Sequence, residues 1–410
     1  MPQGQNGSFD MRCRICDSND LTEILDLGEQ PWGNHFLDKR DLGSEPRYPL
    51  VLMYCNQCCL AQLNHTVAKE TMFSDHTYVS GTTDTLRKHF RNTAERVDHT
   101  FFSDRSSKSV LDLGSNDGTQ LQQYRNLGYD CLGVESCERV AKHAIDAGID
   151  TVVDFFNEEC ATRINRQFDV ISASGVFFHL EELHSFTRGI KRCLKGDGVF
   201  AVQFLYMKSI MENLAFDQIY HEHLLYYTLQ TVQELLQRHE LEAFDAYFSS
   251  IHGGSIVLYA GHPGVRPKSK NLSTLAAEEQ DARTNEIQTY FEFADRVQQL
   301  KQQTIEFLCN QKAAGKRVFG FGAPVKGNTF LNFCEIDSRQ LDYLVEKNPL
   351  RKGLYSPGMH IPIVLEDELE APPDVYFVLA WNFRKEILSK NRDLIDNGVE
   401  FYFPIEPDLP

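Results

Sequence analysis

Strands and helices alternate through residues 109–204, and that rhythm leaves few folds open. Ser109-Val110-Leu111-Asp112-Leu113 reads as a short buried strand, and Gly114-Ser115-Asn116-Asp117-Gly118 as the tight turn after it. A helix follows from about Thr119, and residues 130–134 form a second strand that ends in Glu135. Residues 168–172 and 198–202 are two further strands. The pattern predicts an α/β chain with a doubly wound parallel sheet, its ligand lying outside the carboxyl ends of the strands.

The turn narrows the ligand. GSNDG lacks the G-x-G-x-x-G spacing that brings backbone close to a pyrophosphate. S-adenosylmethionine has no pyrophosphate. An acid before the turn (Asp112), small or polar residues through it (Gly114, Asn116, Asp117, Gly118) and a carboxylate ending the second strand (Glu135) suit that cofactor. Gly114 and Gly118 would let the methionyl part approach the backbone, while Glu135 would take both ribose hydroxyls. On this pattern alone a generic nucleotide fold stays open.

Two flanking regions differ from this core. Cys13-Arg14-Ile15-Cys16 and Cys55-Asn56-Gln57-Cys58 are paired CxxC knuckles, which predict one closed, structural, four-thiolate zinc site. The intervening Pro31-Trp32-Gly33-Asn34 suits a turn on the surface of this ribbon, and Cys59 reads as a bystander. The other six of the 11 cysteines are scattered and suit small core positions. After Ser249 comes a long helical stretch, about residues 273–314, with apolar residues near helical spacing. A strand at 317–321, a glycine-rich turn, another helix and strands at 341–345 and 375–379 then predict a second, smaller α/β layer.

Composition excludes some partners. With 41 Lys and Arg against 58 Asp and Glu, the net charge is −17, which argues against a nucleic-acid backbone as ligand. A phosphorylated small molecule needs only a local basic pocket. The sequence has no run of about 18 apolar residues and no apolar leader, so neither a membrane span nor secretion is expected, and the cytoplasm is the expected location.

The chemistry concentrates in Tyr220-His221-Glu222-His223-Leu224-Leu225-Tyr226-Tyr227. Buried polar tips need partners, so a core has no use for this composition, whereas a site that moves protons near neutral pH does. In an extended segment His221 and His223 would share a face and could bind a metal instead, although no third ligand stands nearby. Tyr226 and Tyr227 read as packing residues.

The ordered set of paired CxxC knuckles, VLDLGSNDG, GVE, FDVISASGVFFH, YHEH, Ile251-His252-Gly253-Gly254-Ser255 and Gly320-Phe321-Gly322-Ala323 resembles a known family. Lys326-Gly327-Asn328-Thr329, Pro357-Gly358-Met359-His360-Ile361-Pro362 and Ala380-Trp381-Asn382-Phe383 extend the match over roughly residues 11–405. The family comprises S-adenosylmethionine-dependent C-methyltransferases of nucleotide-linked deoxysugars. The resemblance implies a zinc-binding domain (1–72), a class I, Rossmann-like methyltransferase domain (73–248) and a C-terminal Rossmann-like domain that binds the sugar nucleotide (249–410).

The resemblance also implies roles. His223 would take a proton from a carbon beside a ketone, with Tyr220 and Glu222 alongside, His179 after the FDVI strand, and Tyr78 from the segment joining the first two domains. The expected substrate is a nucleoside-diphosphate 4-keto-6-deoxy sugar, methylated at C-3 ahead of C-5, and a monomer is expected. His221, His252, Lys326, Asn328 and Asn382 are the expected substrate contacts, with Lys326 suited to a diphosphate by its place between a glycine turn and a helix. His252 reads equally well as a turn histidine. The chain departs from the family after Ser255, where Ile256-Val257-Leu258 stand in place of an expected Arg. An O- or N-methyltransferase, or an inactive zinc-ribbon binding protein on the same fold, are the alternatives.

Overall fold

The computed structural model describes residues 11–406 apart from Asp75, Thr77 and Tyr78, so the expectation for Tyr78 lies outside the described residues. Strands β1 (Leu21–Pro31), β2 (Arg47–Cys55) and β3 (Ala61–Leu63) form an antiparallel meander. Each CxxC knuckle beside it is closed the same way. The amide of Asp17 returns to the Cys13 carbonyl at 2.9 Å, and that of Cys59 to the Cys55 carbonyl at 2.9 Å. Both closing residues take left-handed φ, 61° and 66°, which gives Cys59 a backbone role at the turn.

The strands that follow are β4 (Lys108–Leu113), β5 (Tyr129–Glu135), β6 (Asp150–Val153), β7 (Phe168–Ser174) and β8 (Leu194–Leu205). Then come a two-residue β9 (Leu225–Tyr226), β10 (Glu242–Ser249) and β11 (Ser255–Gly261). One sheet has the order β10-β11-β8-β7-β4-β5-β6, in which β4 to β8 are parallel and β11 runs antiparallel to both of its neighbours. This is the doubly wound, class I arrangement expected. The chain leaves β4 toward β5 on one side and returns to β7 on the other, which opens a crevice at the carboxyl end of β4. Because β11 is an inner strand here, the sheet runs past the boundary expected at 249.

β9 belongs elsewhere. It pairs antiparallel with β3, so the residues just after YHEH complete the zinc-side sheet. The amide of Met207 binds the Tyr227 carbonyl at 2.9 Å, which ties the same segment back to the end of β8. The YHEH turn is thus held from two sheets at once, and Tyr226 and Tyr227 are fully buried in the packing expected of them.

A third, all-parallel sheet has β12 (Val318–Phe321), β13 (Leu344–Glu346), β14 (Ile363–Leu365), β15 (Val375–Val378) and β16 (Glu400–Tyr402), in the order β14-β13-β12-β15-β16. The stretch read as one long helix is two, Lys270–Asp281 and Ile287–Ala313, parted where Arg283 takes φ 54°. The break serves packing. Asn285 accepts the Tyr54 hydroxyl at its carbonyl (2.6 Å) and the Thr228 hydroxyl at its side chain (2.7 Å), joining three parts of the chain. No helix among the described residues is long and apolar enough to cross a membrane.

Candidate active site

A cavity of about 220 Å³ opens at the crevice. Gly114 and Asn116 follow β4, Glu135 ends β5 and Ser136 follows it, Phe155 and Phe156 follow β6, and Ser174 ends β7 with Gly175 after it. His179, Glu222 and Asn34 line it as well. Glu135 is 5% exposed and accepts the amides of Asn116 and Cys137, each at 2.9 Å. Burial would raise its carboxyl, but His76 and these two amides outweigh burial and hold it below the usual carboxylate range. Oε1 also meets the Ser136 hydroxyl at 3.5 Å and His76 Nε2 at 3.9 Å, whereas Oε2 takes the Asn116 amide and keeps acceptor capacity for a diol.

The remaining turn residues divide by role. Asn116 Oδ1 accepts the amide of Ser80 at 2.8 Å, and Asp117 Oδ2 that of Gly81 at 3.0 Å, so both hold the segment that covers the turn. Asp112 is buried behind the strand, bound by the Ser172 hydroxyl at 2.6 Å, and burial pushes its carboxyl up to about 7. It supports the turn from beneath. Gly118 is likewise a packing residue: at φ 77° a Cβ would come within 2.9 Å of Ala144 and Ile149. Neither Asp112 nor Gly118 lines the cavity.

Those residues fit S-adenosylmethionine. Glu135 presents a buried acid with spare lone pairs, Phe155 and Phe156 give the cavity an aromatic lining suited to a purine, and His76 Nδ1 is buried without a hydrogen-bond partner among the described residues. Glu181 and Glu182 add negative charge against one cation, Lys69, which suits a sulfonium. When bound, the cofactor supplies an electrophilic methyl group. The sequence reading missed Phe155, Phe156, His76, Glu181 and Glu182. Only the strand-end rule applied to the short strand β6 would have pointed to the two phenylalanines.

Beyond the donor side lies YHEH, which is a turn. The two imidazoles therefore diverge. His221 packs edge-on against Tyr48 of β2 with ring centroids 5.7 Å apart, is 2% exposed, and does not line the cavity. The shared face that an extended segment would have offered a metal is absent, and His221, expected as a substrate contact, packs against the zinc-side sheet. His223 turns the other way. Its ring lies 3.9 Å from that of Tyr220, 4.6 Å from Phe178 and 5.2 Å from His179. His223 Nδ1 meets the Gln218 carbonyl at 2.8 Å and His179 Nδ1 meets the Glu222 carbonyl at 2.5 Å. A carbonyl only accepts, so each ring carries its proton on Nδ1 and keeps the Nε2 lone pair. Burial holds His223 neutral well below its ordinary value, and burial lowers His179 to about 4.

Glu222 accepts the Trp32 indole N–H at 2.7 Å, and burial pushes its carboxyl up to about 7 against that bond. Pro31-Trp32-Gly33-Asn34 is therefore no surface turn. It enters the junction of the three sheets because β1 ends there and Asn328 Nδ2 holds the Gly33 carbonyl at 2.7 Å. That bond assigns Asn328, 2% exposed, to the loop.

Lys326 also has protein partners. Its ammonium lies 3.4 Å from the centre of the Trp381 ring and 3.9 Å from Asp217 Oδ2, which accepts the Trp381 indole N–H at 2.7 Å. Burial lowers Lys326 to about 8, opposed by Asp217. The side chain keeps 13% exposure, and its charge is already matched. His252 is exposed, with φ 56°, and its carbonyl accepts the Gln218 side-chain amide at 2.6 Å. Asn382 is half-buried in the turn Trp381–Phe383.

The four sulfurs of Cys13, Cys16, Cys55 and Cys58 lie within 4.8 Å of one another, with Cys13 and Cys58 at 3.4 Å and Cys16 and Cys55 at 3.5 Å. Tetrahedral zinc with bonds of about 2.3 Å needs sulfurs about 3.8 Å apart. The four thiolates fit one structural zinc ion.

Residues 13–73 match the model of a zinc binding domain, 86–245 a methyltransferase domain and 250–406 a C-methyltransferase C-terminal domain. C-methyltransferase NovU of Streptomyces niveus is 31% identical over 404 residues, 96% of this chain and 95% of its own. Among solved structures, an S-adenosylmethionine-dependent methyltransferase from Clostridium acetobutylicum is 13% identical, covering 45% of this chain and 94% of that one, with a TM-score of 0.36. Magnesium protoporphyrin IX methyltransferase from Synechocystis is 12% identical over 47% of this chain and 88% of its own, with a TM-score of 0.34. With a donor cavity at the switch point, a four-thiolate zinc site and a relative matched nearly end to end, this chain belongs to the S-adenosylmethionine-dependent C-methyltransferase family.

Proposed function

We propose that the chain methylates a sugar carbon α to a ketone in a nucleoside-diphosphate 4-keto-6-deoxy sugar, C-3 ahead of C-5, through an enolate formed by His223. The observation that carries this reading is the tautomer of His223, whose Nε2 lone pair is free while the ring stays neutral at physiological pH. An ordinary sugar carbon gives no carbanion. A carbon beside a ketone does, because the charge comes to rest on oxygen. In this scheme His223 Nε2 would take the α-proton and Tyr220 would donate to a substrate oxygen, and the enolate carbon would take the methyl of a bound S-adenosylmethionine as the S–CH3 bond breaks and sulfur leaves as a neutral thioether.

The arrangement of the two imidazoles supports this division. His179 lines the donor cavity, whereas His223 stands beside it without lining it. Base and methyl donor need separate approaches to one carbon, and the second imidazole leaves room for both. The sugar nucleotide would lie between the seven-stranded and five-stranded sheets, near exposed His252 and half-buried Asn382. The expected domain limits (1–72, 73–248 and 249–410) are carried into this proposal, with the middle unit extended to include β11. A panel of 4-keto-6-deoxy sugar nucleotides, each incubated with S-adenosylmethionine and read by mass spectrometry, tests the substrate class. One member gaining one methylene unit on carbon supports it, and transfer only to oxygen or nitrogen contradicts it.

A further inference from the structure

Trp32 is a residue that neither the zinc site nor the methyltransferase fold requires. It follows the last residue of β1, on the zinc-side sheet, yet its indole N–H ends 2.7 Å from Glu222 Oε1 at the wall of the donor cavity. The loop is fixed on both sides of that contact. The Gly33 carbonyl accepts the Asn328 side-chain amide at 2.7 Å, and Gly33 sits so close that a Cβ would lie 3.1 Å from the Val325 carbonyl oxygen. Asn34 then lines the cavity. Three consecutive residues of the zinc-side hairpin therefore touch the proton-handling turn, the C-terminal sheet's first helix and the donor cavity.

We propose that Trp32 is a positioning residue for methyl transfer, its indole N–H holding the Glu222 carboxylate ionised and in one orientation beside the reacting carbon. The inference rests on the proposed place of Glu222 in that centre and adds that the zinc-side sheet supplies part of the catalytic arrangement. A neutral donor in a buried setting is what a carboxylate needs there. Burial pushes Glu222 up to about 7, and the Trp32 indole works against it first, with the nearby His76 second. An aromatic residue without the N–H would fill the same space and leave the carboxyl free to protonate and to turn.

The test uses the full-length zinc-loaded protein. The chain has two tryptophans, Trp32 and Trp381, so the two indole resonances in a ¹H–¹⁵N spectrum are assigned with Trp381→Phe. The Trp32 resonance is expected to titrate near pH 7 and to stop titrating in Glu222→Gln. Trp32→Phe is expected to lower kcat roughly tenfold to hundredfold, the worth of a hydrogen bond to a charged group, with zinc content and cofactor affinity kept. It should also move the acid limb of kcat/KM to higher pH. In the Glu222→Gln background Trp32→Phe should add little. An indole that does not titrate, or a Trp32→Phe enzyme with unchanged kcat and acid limb, overturns the inference. Full turnover by Glu222→Gln would instead overturn the catalytic place of Glu222 itself.

Discussion

The ring of His223 is tethered by Nδ1 to the main-chain carbonyl of Gln218 at 2.8 Å, and Gln218 is in turn tethered by its side chain to the carbonyl of His252 at 2.6 Å. One backbone oxygen therefore decides which nitrogen of the base is free. A second decides how the preceding turn meets the HGGS loop.

His223→Asn should lower kcat by about 10²–10⁴-fold, the usual worth of a general base, with the dissociation constant for S-adenosylmethionine unchanged. Direct titration of the cofactor beside steady-state kinetics checks both halves. His179→Asn should disturb cofactor binding as well, because His179 lines the donor cavity.

The pH profile follows from the same burial. His223 and His179 are neutral far below pH 7, so neither supplies an acid limb there. Glu222 at about 7 does: as pH falls through that value the carboxylate takes a proton and kcat/KM declines. Glu222→Gln should remove the limb, which kcat/KM measured from pH 5.5 to 8.5 will reveal.

Glu135 should govern the donor. Glu135→Ala removes the diol acceptor and releases the amides of Asn116 and Cys137. The dissociation constant for S-adenosylmethionine should rise about tenfold to hundredfold, from the loss of one or two charge-assisted bonds. Calorimetry measures it directly.

Lys326 and Asp217 form a buried pair whose loss should be asymmetric. Lys326→Met leaves Asp217, 1% exposed, without its counter-ion, and should cost about 3–5 kcal/mol in folding stability. Asp217→Asn together with Lys326→Met should cost less than Lys326→Met alone. Denaturant unfolding of the single and double variants decides it.

Much of the architecture was legible because periodicity and turn chemistry are local. β4, its glycine turn and Glu135 stand within one short stretch of sequence, and the two CxxC knuckles name their own ligand set. What escaped was set by contacts between distant segments. Nothing in Pro31-Trp32-Gly33-Asn34 says that it meets a glutamate 190 residues away. Likewise, nothing in Leu225-Tyr226 says that it completes the zinc-side sheet. The turn geometry of YHEH, which parts His221 from His223, depends on the pairing of Leu225-Tyr226 with β3 and of Tyr227 with Tyr206, both far away in sequence. Lys326 is similar: its local position suggests a diphosphate contact, and only the fold shows that Asp217 and Trp381 stand beside it.

The most direct test of carbanion chemistry is the fate of one hydrogen. A 4-keto-6-deoxy sugar nucleotide that the enzyme accepts, carrying deuterium at the methylated carbon, is incubated in ordinary water with and without S-adenosylmethionine. Base-generated enolate predicts a product with a new carbon-bound methyl and no deuterium at that carbon, and a His223→Asn enzyme that leaves the deuterium in place. A methylated product that retains the deuterium, or carries its methyl on oxygen or nitrogen, would contradict it.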